Sequence, residues 1–185
     1  MVDQYDAAIL ETDQAIKTLL ETFAERGLLD DTLVVVTADH GEEFGEHGGM
    51  THGHTLFEEV LQVPMILWSQ GGLTGYRSNA VLYQIEFVPT VLEALGIAPP
   101  EQQDGRSKWP VITLQENLGD ERQHLAFLDL ARRYALSLRS SSYKLIHKQG
   151  SPSNLLYDLD RDPAEKNNLV RRREERSRLL VDLVQ

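Results

Sequence analysis

The chain has 185 residues and a formal net charge of −11, with 41% apolar and 25% charged residues and no cysteine. That length fits one ordinary domain, or a domain with a small appendage. The acidic balance argues against a nucleic-acid partner, which would need a basic face. A small anionic substrate stays compatible with it, because local groups and a bound metal can hold an anion against the overall field. Without cysteine these residues hold no disulfide, no thiolate metal site and no cysteine nucleophile. No stretch reaches the roughly 20 consecutive apolar residues that span a bilayer. No charged-then-apolar leader opens the sequence either, and these features leave the localisation unassigned.

Residues 3–26 read as an amphipathic helix, with Ile9, Ile16, Leu19, Leu20 and Phe23 recurring near the helical period. Gly27 suits the position that ends such a helix, and Asp30 and Asp31 suit a turn. In "TLVVVTADHG" a run of apolar residues without alternation predicts a strand over 33–37 covered on both faces. Helix, short loop, buried strand is the pattern of a parallel α/β sheet. "TLFEEVL" then predicts a helical turn, and "VPMILW" over 63–68 a second buried strand. "YQIEFVPTVLEALG" predicts a helix ending at Gly96, with Pro89 in the first turn where a missing N–H costs little.

Residues 97–121 are proline-rich and irregular, and a boundary is expected there, dividing the chain into regions 1–110 and 111–185. Beyond it, 124–130, 134–140, 143–148 and 155–159 are short apolar runs whose separators predict antiparallel strands joined by hairpins. In "DPAEKNNLV" Asp162 suits a helix cap, Pro163 the first helical position and Glu165 the third. The charged stretch 171–178 reads as a solvated face of that helix or a following one.

Four of the six histidines, His40, His47, His52 and His54, fall within residues 40–54, a glycine-rich loop directly after the first predicted strand. A solvated polar loop is the bland reading. Position favours chemistry, since ligands in open α/β sheets bind beyond the carboxyl ends of strands. Asp39 offers a hard oxygen ligand to a divalent cation. His40 offers a nitrogen that Mn²⁺, Zn²⁺ or Fe²⁺ accepts better than Ca²⁺ or Mg²⁺. Gly41 would let the backbone turn between strand and loop. His52 and His54 lie two apart, so an extended segment would point both to one side. Imidazoles beside a metal suit a sulfate or phosphate ester, one donating to a non-bridging oxygen and one protonating the leaving alkoxide. His47 in "GEHG" reads more readily as a turn whose ring braces the loop, and Glu42, Glu43 and Glu46 as loop-fixing or solvated.

"LLDDTLVVVTADHGEEFGEHG", "HGHTLFEEVLQVPMIL", "IEFVPTVLEALGIAPPEQQDGRS" and "LLYDLDRDPAEKNNL" together resemble sulfatases of the alkaline phosphatase superfamily, in the family's order and over about residues 5–170. The resemblance implies the C-terminal part of an alkaline-phosphatase-like α/β sandwich, plus a small C-terminal antiparallel sheet with a packed helix. It implies that Asp39 and His40 complete a divalent metal site, with Ca²⁺ the family's usual ion and Mn²⁺ or Zn²⁺ suggested by His40. It places His52 or His54 where relatives contact the substrate's sulfate and leaving group, and makes "DPAEKNNL" structural.

The family's Cys/Ser-x-Pro-x-Arg nucleophile motif and its early aspartate pair do not occur in these residues. The expectation is therefore a portion of a sulfate-ester hydrolase, inactive by itself, whose open side self-associates or takes a partner chain. The alternatives are a phosphodiesterase, phosphonate hydrolase or phosphotransferase of the same superfamily, and a non-catalytic domain that keeps the fold without the chemistry.

Overall fold

A computed structural model describes residues 1–73, 75, 77, 78, 81–100, 102–114, 124–129, 134–140, 142–151 and 154–171. The chain packs as two compact units, Met1–Gly75 and Tyr76–Gln185.

The first unit opens with helix α1, Val2–Glu25, close to the expected limits, and Gly27 at φ +66° turns the chain out of it. No residue of α1 is buried. The ring of Tyr5 meets that of Phe44 edge-on, with centroids 5.0 Å apart. A 3-10 turn at Leu29–Asp31 leads into strand β1, Leu33–Thr37. The loop that follows holds a short hairpin, β2 (Glu43–Phe44) with β3 (Met50–Thr51), and one turn of helix, α2 (Glu58–Leu61). Strand β4, Met65–Ser69, then returns along β1, from Ser69 opposite Leu33 to Met65 opposite Thr37.

This corrects two details of the sequence reading. The pair is antiparallel, and neither strand is covered on both faces: Leu33 to Val36 are half-buried, while Ile66 and Trp68 on β4 are 56% and 41% exposed. A valine run fits any pleated surface. The partner fixes strand direction, and the partner lies thirty residues away, where local composition carries no signal. The buried apolar residues of this unit are Leu56 and Val60, around α2.

In the second unit, helix α3 spans Gln84–Ala94 and ends before Gly96, at φ +68°. Its start is fixed by Glu86, whose carboxylate accepts the Tyr83 N–H at 3.0 Å. Pro89 lies in the second turn, not the first, so it withholds an N–H from the Ile85 carbonyl. The backbone of Gly105 packs against that carbonyl so closely that a Cβ there would lie 1.8 Å from its oxygen. Buried Thr90 ties the same segment down: its hydroxyl donates to Glu86 O at 2.6 Å and accepts the Lys108 N–H at 2.9 Å. The Lys108 ammonium in turn lies 3.7 Å from Glu86 Oε1. Helix α4, Trp109–Leu114, occupies part of the stretch read as irregular. Pro110 sits in its first turn, where it does not interrupt the helix.

Strands β5 (His124–Asp129), β6 (Tyr134–Arg139), β7 (Tyr143–Lys148) and β8 (Leu155–Asp158) form an antiparallel sheet in chain order, as the sequence predicted. Ala135, Ile146, Leu156, Tyr157 and Leu159 are buried on or beside it. The predicted helix at "DPAEKNNLV" is replaced by an irregular turn that leads to a 3-10 turn at Leu169–Arg171. Asp162 still caps, taking the N–H groups of Lys166 at 3.0 Å and Asn167 at 2.7 Å. Glu165 does not act as a third helical residue. It adopts φ +53° and turns inward to the Lys144 ammonium, 3.0 Å away. Asn168 Oδ1 accepts the Leu156 N–H at 3.1 Å, which ties the turn to β8 and gives the segment its structural role. The expected C-terminal helix lies outside the described residues.

Candidate functional site

Beyond Thr37 the chain leaves the sheet and presents Asp39 and His40. The Asp39 side chain is 88% exposed. Its Oδ1 accepts the His40 backbone N–H at 3.0 Å, and its Oδ2 lies 3.7 Å from His40 Nε2. His40 Nδ1 is 2.9 Å from the Gly41 carbonyl oxygen. A carbonyl only accepts, so Nδ1 carries a proton, and Nε2 lies on the side of the Asp39 carboxylate. A histidine that ligates a metal through one ring nitrogen commonly gives the other ring N–H to a carbonyl, as Nδ1 does here. Asp39 and His40 therefore fit as two ligands of one divalent cation, and further ligands would have to come from elsewhere.

The His40 ring also lies over that of His52, with centroids 3.9 Å apart and planes at 34°. His52 Nδ1 is 3.3 Å from both oxygens of Glu42, so Nδ1–H faces the carboxylate and Nε2 faces away from it. Three of the four candidate residues, Asp39, His40 and His52, thus form one cluster. His54 is exposed and makes no hydrogen bond, ion pair or ring contact among the described residues. The extended segment expected between His52 and His54 is bent: Thr51 has φ 70° and Gly53 φ +79°, so the alternation that would aim both imidazoles to one side does not apply.

The loop is built on Glu43, which is buried. Its Oε1 accepts the N–H groups of Gly49 at 2.8 Å and His47 at 3.2 Å, and its Oε2 accepts the Thr55 hydroxyl at 2.9 Å. A buried carboxylate with three donors is well satisfied, and it closes the loop on itself. The loop-fixing role read for the glutamates is taken by Glu43 and by Glu46, whose carboxylate accepts the Phe44 N–H. The His47 ring stacks on Phe57, with centroids 3.6 Å apart and planes at 10°, and its Nδ1 lies 2.5 Å from Glu59 Oε1. Sequence reasoning missed Glu59, because nothing local distinguishes it from Glu58 beside it. Gly41 is required for close approach more than for turning: a Cβ there would lie 2.1 Å from the Glu59 carbonyl oxygen.

The Sulfatase family model matches residues 1–97. The chain belongs to the sulfatase family. Among related proteins, N-acetylglucosamine-6-O-sulfatase of Bacteroides thetaiotaomicron is 29% identical over 89% of this chain and 31% of its own length. Choline-sulfatase of Rhizobium meliloti is 28% identical over 90% of this chain and 32% of its own. Multifunctional alkaline phosphatase superfamily protein PehA of Trinickia caryophylli is 27% identical, over 90% and 35%. The chain thus spans about a third of the length of these relatives. Two solved structures carry the fold likeness. A protein in complex with its substrate D-glucosamine-2-N,6-O-disulfate superposes with a TM-score of 0.84 at 26% identity, over 96% of this chain and 37% of its own. Phosphonate monoester hydrolase of Agrobacterium radiobacter gives 0.78 at 25%, over 94% and 38%. The α/β architecture expected of the alkaline phosphatase superfamily is the one observed, with its antiparallel C-terminal sheet.

Proposed function

We propose that this sulfatase-family chain carries the metal and leaving-group side of a sulfate-ester hydrolase site. Asp39 and His40 hold one divalent cation, Ca²⁺ as the family usage suggests, or Mn²⁺ or Zn²⁺ because of the imidazole. When bound, the cation would polarise the ester's oxygens and offset their charge. His52 meets the sulfate or the leaving oxygen through Nε2, with Glu42 orienting the ring from the other side. His54, exposed next to it, is the second candidate for that role. The carrying observation is the juxtaposition of His40 and His52, rings 3.9 Å apart, on a loop inside the matched region 1–97.

The substrate is a small sulfate ester. A second reading, hydrolysis of a phosphate or phosphonate ester, is favoured by nitrogen ligation at His40 and by the likeness to a phosphonate monoester hydrolase. These 185 residues contain no Cys/Ser-x-Pro-x-Arg motif, so the polypeptide alone does not turn over sulfate esters. The exposed Ile66 and Trp68 are the face on which a second copy or a partner chain would settle. Among the described residues no helix is long and apolar enough to cross a membrane.

Calorimetric titration with Ca²⁺, Mn²⁺ and Zn²⁺ tests the metal assignment. Binding in the wild type that is lost in Asp39→Ala and weakened in His40→Ala supports it. Binding that ignores both substitutions, or no binding at all, overturns it. An aryl sulfate assay of the purified chain with added cation tests the second point, and metal-dependent turnover would refute the expected inactivity.

A further inference from the structure

We infer that His47 and Glu59 are positioning residues for the Asp39–His40–His52 cluster, an inference that rests on the function proposed above. Glu59 acts at two places at once. Its main-chain carbonyl packs against Gly41, the residue after His40, and the neighbouring Val60 carbonyl accepts the Gly41 N–H at 2.8 Å. Its side chain takes the Nδ1–H of His47 at 2.5 Å. The His47 ring is held flat on Phe57, and the His47 backbone N–H enters the Glu43 carboxylate. Glu43 then carries the restraint to the far side of the loop. It holds Gly49 and Thr55, and it pairs opposite Thr51, the residue before His52, in the β2–β3 hairpin. The main chain of α2 therefore fixes the backbone after His40, and the Glu59 side chain fixes, through His47, the segment that delivers His52.

Burial separates the two tasks. The side chains of His47 and Glu59 are 10% and 18% exposed, those of His40 and Asp39 40% and 88%. A charge-assisted hydrogen bond shielded from water is stronger than one at the surface. The brace is thus placed where it holds best, and the groups that would meet metal and ester face solvent. Glu43, His47 and Glu59 each offer one donor atom, all within 4.8 Å of one another. The same three could in principle hold a cation of their own. The Glu43 oxygens are already taken by three hydrogen-bond donors and His47 Nδ1 by Glu59, which favours the brace.

The test uses the chain itself with Glu59→Ala, His47→Ala and His47→Asn, the last keeping a donor at the δ position. In the metal-free protein, the nuclear Overhauser contact between the His40 and His52 rings is recorded. Mn²⁺ affinity is then measured by calorimetry, and circular dichroism monitors the fold. The expected result is that Glu59→Ala and His47→Ala stay folded, lose the ring contact and weaken Kd for Mn²⁺ about tenfold, the lower end for groups that orient a ligand. His47→Asn should recover most of both. A folded Glu59→Ala that keeps the contact and the affinity overturns the inference. So does a second bound equivalent of Mn²⁺ that His47→Ala removes. If the wild type shows no Asp39-dependent binding, the proposed function falls, and the ring contact still decides the positioning role by itself. Should His47→Ala not fold, Glu59→Ala and His47→Asn carry the same readouts.

Discussion

Lys144 on β7 and Glu165 in the turn after β8 form an ion pair, Nζ to Oε1 at 3.0 Å, with both side chains fully buried. The pair explains why the chain at 162–168 abandons a helical start that its sequence suits. An unpaired Lys144 under the sheet would cost more than a turn of helix returns. Glu165 accepts a left-handed backbone, φ +53°, to reach it.

Breaking that pair from one side should be severe. Glu165→Gln and Lys144→Met each leave a buried group without its counter-charge, at a cost of about 3–5 kcal/mol. The double substitution should recover much of that. Denaturant unfolding of the three variants checks it, and additive losses would show that the two groups do not interact.

Gly105→Ala should destabilise the second unit. The added Cβ would meet the Ile85 carbonyl oxygen at 1.8 Å, so α3 or the 102–108 segment must shift. Overpacking of this kind costs about 1–3 kcal/mol. A thermal melt with an unchanged midpoint would mean that the segment relaxes without cost.

Glu43→Ala should unfold the loop more readily than any other glutamate change in it. Two backbone N–H groups and a hydroxyl lose their acceptor, about 1–3 kcal/mol for each group left buried and unmade, less whatever water recovers. Amide hydrogen exchange at Gly49 and His47 reads this directly. Unchanged protection there would contradict the hydrogen-bond assignment.

Asp39→Ala should be the opposite case. Its carboxylate is exposed and accepts its neighbour's N–H at the surface, so stability should change by no more than about 0.5 kcal/mol. The metal titration should change completely. A large fall in melting temperature would mean that Asp39 acts in the fold and not in ligation.

Much of the fold was legible because its determinants are local. Helical periodicity gave α1 and α3, and evenly spaced apolar runs gave all four strands from β5 to β8. What failed was non-local. The direction of β1 depends on β4, the conformation of Glu165 on Lys144, and the placement of Pro89 on a helix start fixed by Glu86. The three prolines at 99, 100 and 110 concealed α4, although one of them suits its first turn. In the candidate site, clustering drew out the four histidines His40, His47, His52 and His54, and position after the first strand drew out Asp39 and His40. Period-2 geometry misjudged the His52–His54 segment, because Gly53 bends it. Glu59 carried no sequence signal, since its importance arises only when α2 folds back on Gly41.

Trp68 stands on the outer side of β4 next to Ile66, two-fifths open to solvent. Once the chain's other tryptophan is removed by Trp109→Phe, the Trp68 indole is a built-in optical reporter. Emission should be sensitive to iodide quenching in dilute solution and shift to shorter wavelength, with quenching suppressed, when another polypeptide settles over that strand. Light alone can then follow occupancy of this surface, without a label.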